Sequence, residues 1–133
     1  MTDPLKWVIG IVGANIGDDI WVADRMPRPD ELEDNLPAVS IDLLPSSESS
    51  SWGGFGGPMI EGIALDIDVV APSRAEAVPV ADKVREILHA LPHIEGSAVS
   101  SVECPRFATR PDISPYVRRI GVEATIMTRS ERD

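Results

Sequence analysis

"IEGIALDIDVVAPSRAEAVPVADKVREIL", residues 60 to 88, changes its hydrophobic period from two to 3.6 within one stretch. In the first half Ile63, Leu65, Ile67 and Val69 alternate with Ala64, Asp66 and Asp68, the pattern of a strand with one apolar and one polar face. Beyond Pro72 the pattern becomes helical: Ala77, Val80, Ala81, Val84, Ile87, Leu88 and Leu91 form one continuous apolar stripe. Ser73 with Glu76 three positions on is a capping box that sets the start of this helix, and Pro92 marks its end. Pro79 removes a backbone donor and is expected to kink or loosen the first turns. A strand feeding directly into a helix, both one-sided, predicts a sheet with helices laid on its apolar face.

Upstream, "AVSIDLL" (38–44) alternates in the same way through Val39, Ile41 and Leu43, and predicts an antiparallel partner for the 60–70 strand. Between the two lies "SSESSSWGGFGG" (46–57), with five Ser and four Gly, read as the flexible tip of a hairpin loop spanning 45–58. It also holds Trp52 and Phe55, two of the six aromatic residues in the chain. Asp3 followed by Pro4 starts a first helix, on which Leu5, Val8, Ile9, Val12 and Ile16 recur at helical spacing until "GDD" (17–19). A short extended piece, Ile20 to Ala23, leads into "DRMPRPDELEDNLP" (24–37), a proline-rich acidic surface loop.

Downstream of the second helix, "AVSSVEC" (98–104) reads as a less regular strand and "PRFATRPDISP" (105–115) as a proline-punctuated bend. "YVRRIGVEATIMT" (116–128) is the last strand, with Ile120, Val122, Ala124 and Ile126 facing in. The predicted order is α-β-β-β-α-β-β. The expected fold is α+β: a two-layer sandwich of four to five mostly antiparallel strands, with both helices packed on one face. At 133 residues it makes one domain, 1–133.

The chain is 43% apolar and 26% charged, the balance of a soluble globular protein. A net charge of −10 argues against a nucleic-acid-binding surface, because phosphates would be repelled and no Lys/Arg stripe is present to release counterions. The apolar run "KWVIGIVGA" (6–14) is too short to span a bilayer. It also lacks the positive flank and small-residue cleavage site of a signal peptide, so a cytoplasmic protein without membrane contact is expected.

Catalytic motifs are not found. "GIVG" and "GGFGG" lack the lysine and spacing of a phosphate loop. His89 and His93 are four apart, but Pro92 falls between them at the helix end and no Cys or carboxylate cluster lies near in sequence, so no metal or cofactor is expected. Cys104, the single cysteine, has no histidine partner in sequence and reads as a buried structural thiol. Asp42, Asp66 and Asp68, joined by Glu103 and Glu123, share the polar sheet face with Arg119 as a cross-strand counter-charge; no nucleophile accompanies them, and no enzyme is expected.

The layout "VADRMP", "LPAVSIDLL", a flexible hairpin, "IEGIALDIDVVAPSRAEAVPVADKVREIL" and "RPDISPYVRRIGVEATIMTR" resembles the tail terminator proteins of long-tailed phages, in particular minor tail proteins of actinobacterial phages. The resemblance runs over residues 3 to 129 and rests on element order and short phrases such as "LPAVSI" and "APSRAEA", since that family has no catalytic signature. It implies a ring, typically of six copies, that stops polymerisation of the tail tube and offers a surface to head-completion proteins. The implied partners are therefore other copies of the chain, the tail tube protein and a connector. DNA only passes through the lumen, and the location is the virion tail at the head–tail junction, with host cytoplasm during assembly. Under this resemblance Trp52, Phe55, Arg118 and Arg119 are candidate interface residues, and Asp30, Glu31, Glu33 and Asp34 candidate lumen-facing acids. A head–tail connector or other minor tail protein is the nearest alternative. A small α+β enzyme or ligand-binding domain using the acidic sheet face is a more distant one.

Overall fold

The computed structural model describes residues 3–45, 48–49 and 60–129. Helix α1 spans Pro4–Ile16, capped by Asp3, whose carboxylate accepts the Lys6 N–H. It ends at Gly17, whose φ of 128° lies where a side chain would be strained. The strands are β1 (Trp21–Ala23), β2 (Ala38–Leu43), β3 (Glu48–Ser49), β4 (Ile60–Ala71), β5 (Val99–Glu103), β6 (Ala108–Thr109) and β7 (Arg118–Arg129), with α2 (Arg74–Ala90) between β4 and β5. Ser73 caps α2 through the Glu76 N–H, as the capping box predicts. Helix α2 runs through Pro79 without interruption; the proline ring is exposed, and its missing N–H costs the Ala75 carbonyl its intrahelical bond.

All strands join one sheet in the order β1-β2-β4-β7-β5, with β3 added beside β4 and β6 beside β7. β4 and β7 pair antiparallel over twelve residues each, a ribbon of roughly 40 Å that forms the spine of the molecule. The expected antiparallel pairing of the 38–44 and 60–70 strands is present, in the register Ile41 opposite Ile67. Two short strands and one parallel pair go beyond the expected four to five. β3 and β6 are two residues each, too short to show alternation, and form because the long β4 and β7 extend past their larger neighbours. β1 pairs parallel to β2, which requires the chain to cross over between them. Residues 24–37 make that crossing.

Both helices lie on the face formed by Val39, Ile41, Leu65, Ile67, Ala124 and Ile126, all of them shut off from solvent, and Val8, Val12, Val84 and Leu88 close the layer from above. Each of these Val, Leu and Ile side chains contributes roughly 1.5–3 kcal/mol relative to exposure. On the opposite sheet face, among the described residues, a second apolar cluster covers one end. There Leu32 of the crossover loop packs with Val70 and Val117, flanked by Met26 and Leu36. That apolar patch anchors a loop that otherwise carries five acids, two arginines and three prolines, which is why an acidic, proline-rich stretch is held in place at all.

Candidate interaction surfaces

The polar face of the sheet comes from the strand registers. Asp42, Asp66 and Glu123 form one cross-strand row, and Ser40, Asp68 and Gly121 the next. Asp68 is only 8% exposed, so its charge needs partners. It has two: Arg110 Nη1 lies 2.8 Å from Oδ1, and Arg119 Nη2 2.8 Å from Oδ2. Arg110 Nη1 also reaches Asp66 Oδ1 at 2.7 Å. Burial works against the Arg110 cation, but hydrogen bonding to Asp66 and the charges of Asp68 and Asp66 outweigh it and raise its pKa above the ordinary arginine value. The guanidinium is therefore charged throughout any usable pH range.

Gly121 makes this arrangement possible. A Cβ there would collide with Nε of Arg110 and stand 2.5 Å from both Arg110 Cδ and Asp68 Oδ1. The absent side chain is the bed on which Arg110 lies flat across the sheet. β6 brings Arg110 there by pairing Ala108 and Thr109 with Gly121 and Ile120, and the Arg110 N–H then donates to the Arg119 carbonyl. Asp112 Oδ1 accepts the Arg119 N–H at 3.0 Å, so the whole 105–117 bend is fastened to the sheet by charged groups. The Arg119 counter-charge read from the sequence is present; Arg110 and Gly121, which complete the network, escaped that reading.

The fastened bend ends in a turn closed by Ser114, whose Oγ accepts the Tyr116 N–H. This turn leaves Ile113 53% and Tyr116 75% exposed, two of the three large exposed apolar residues among the described positions. Arg118 is also outward, 3.5 Å from Asp112 Oδ2, whereas Arg119 is engaged with Asp68. Of the predicted lumen acids, Asp30, Glu31, Glu33 and Asp34 are all exposed on the crossover loop, with Arg28 within 2.8 Å of Glu31 and 3.7 Å of Asp30. Trp52 and Phe55 lie outside the described residues.

Cys104 is buried, its carbonyl held by Arg85 Nε at 2.8 Å. Burial pushes its thiol pKa up against the pull of Arg85, leaving little thiolate for nucleophilic chemistry. His89 and His93 are both exposed at the end of α2, and no three His, Cys, Asp or Glu side chains among the described residues gather to hold a metal ion. No helix among the described residues is long and apolar enough to cross a membrane.

No protein-family model matches the chain, and no curated protein matches it in sequence. Among solved structures, a chain from the virion of a native gene transfer agent particle is similar in fold, with a TM-score of 0.53 and 17% sequence identity. The similarity covers 96% of this chain and 87% of that one. At that identity the likeness speaks to the fold, an α+β sandwich, over nearly the whole length of both chains.

Proposed function

We propose that this chain is a structural virion protein, and specifically a tail terminator: a ring-forming subunit that caps the tail tube, arrests its growth and presents a surface to head-completion proteins. The observation that carries this reading is the end-to-end fold likeness to a chain of a phage-like virion particle, taken with the sequence resemblance over residues 3–129. The charge distribution supports it. On the polar sheet face Asp66 and Asp68 are matched by Arg110 and Arg119, so the strongest unmatched negative surface at that end is the crossover loop. With Asp24, Asp30, Glu31, Glu33 and Asp34 against Arg25 and Arg28, the loop keeps a net negative charge that would keep a DNA duplex from sticking to a channel wall. Ile113, Tyr116 and Arg118 project from a braced turn, an aromatic, an aliphatic and a cation of the kind that anchor protein interfaces. In the same reading Trp52 and Phe55 of the Ser/Gly stretch bury against a neighbour on assembly.

Purified protein mixed with tail tubes and viewed by negative stain tests the proposal. Capped tube ends, with tube elongation stopped on addition of the protein, are expected. Rings that ignore tube ends would favour the connector alternative, and bare tubes that continue to grow would defeat the terminator reading.

A further inference from the structure

Among the described residues each edge of the sheet is paired on one side only, and the two edges differ in charge. Among the described residues β1 has a strand on one side only, and exposed acids flank it, Asp18 and Asp19 before it and Asp24 after it, against one exposed cation, Arg25, next in the chain. A groove of about 380 Å³ runs between β1 and α1, floored by Leu5, Ile9 and Val22 and rimmed by Asp3 and Asp24, with Lys6 as its one cation. At the far edge, β5 and β6 are paired on one side only, and three arginines converge there from different elements. Arg74, at the start of α2, bonds Thr109 Oγ1 of β6 at 3.1 Å, and Arg85 bonds the Cys104 carbonyl. Arg106 stands exposed between the two strands. None of the three is ion-paired among the described residues, and Glu103 is the one acid in the 99–109 segment.

We infer that these edges are the joints of the assembly, the acidic groove beside β1 taking the arginine-bearing β5–β6 edge of a second copy. The groove suits that occupant, because an arginine lays its methylene stem on apolar surface while its guanidinium reaches a carboxylate. Like edges repel, so two copies do not pair symmetrically through either one. Contact between unlike edges is head-to-tail, and such contacts propagate until a ring closes. The inference rests on the ring reading above and names the surfaces that would close it.

Charge reversal with mixing tests it. One variant carries Asp19→Lys and Asp24→Lys; a second carries Arg74→Glu and Arg106→Glu. All four positions are exposed, so folding is expected to survive, with circular dichroism as the check. By native mass spectrometry and analytical ultracentrifugation at low salt, wild type is expected to form one closed oligomer that loosens as salt rises. Each variant alone should associate at least about tenfold more weakly. Mixed one to one, the variants should recover association as an alternating assembly, because each altered edge then meets its complement. Variants that assemble like wild type, or a mixture that fails to recover, would overturn the edge assignment while leaving the ring reading intact. A wild-type protein that stays monomeric both free and on tail tubes would overturn both.

Discussion

Asp68→Ala is expected to cost about 3 kcal/mol of folding stability, seen as a fall in Tm of roughly 10 °C for a chain of this size. Asp68 carries the carboxylate that two guanidinium groups share, and its removal takes that partner from side chains that are only 21% and 27% exposed. Exposed ion pairs contribute less than about 1 kcal/mol, because water screens them and takes over when a partner is lost. Here water has little access to the carboxylate, so the larger figure applies. Arg110 retains Asp66 as a partner, while among the described residues the Arg119 guanidinium keeps only the Pro111 carbonyl, at 3.5 Å. Denaturant titration of Asp68→Ala beside Asp42→Ala, an exposed acid on the same face, measures the difference directly. Equal small losses for both would mean that the network is a surface feature without structural weight.

Gly121→Val reverses an ordinary expectation. Valine is a far better strand residue than glycine, and at an open site in β7 the substitution would stabilise by up to about 1 kcal/mol. The new Cβ, however, falls on the Arg110 side chain and on Asp68 Oδ1. Arg110 must leave, both of its carboxylate contacts are lost, and the 105–117 bend loses its main fastening. A net destabilisation of about 2 kcal/mol is expected, together with faster tryptic cleavage within that bend. The effects are coupled: in a chain that already carries Arg110→Ala, the part of the valine penalty due to Arg110 should disappear, leaving what the approach to Asp68 Oδ1 costs. A penalty unchanged by Arg110→Ala would show that the clash lies elsewhere.

These two positions mark where sequence and structure part. The α+β sandwich could be read because β4 and α2 each keep a clean period, and because Ser73 and Glu76 state where one becomes the other. The polar face and its Arg119 counter-charge followed from the same alternation. Arg110 could not be placed that way, since it sits in a bend with Pro105 and Pro111 on either side, where no period assigns a face. One signal was available: an isolated glycine inside a strongly alternating strand points to close approach by another group, and Gly121 is such a glycine. The parallel β1–β2 pair was hidden for a different reason. Its crossover is a loop rather than a helix, so the acidic stretch 24–37 looked like surface decoration until Leu32 was seen to pack on Val70 and Val117.

Two kinds of work are thereby divided over one sheet. The helix-covered face supplies stability, and the opposite face braces two loops, one acidic and one bearing Ile113 and Tyr116, at positions set by buried contacts. Loops held so firmly suit a molecule whose task is to present a fixed outline to other proteins. Under the proposed function that outline would also be sensitive to the clamp: variants at Asp68 or Gly121 should lose tube capping before they lose the fold.

Tail length in a phage or particle lacking this gene tests the central claim most directly. The proposed terminator predicts tails that grow well beyond their normal length and carry no heads, with both defects corrected by supplying the protein in trans. Tails of normal length in the deletion would contradict it.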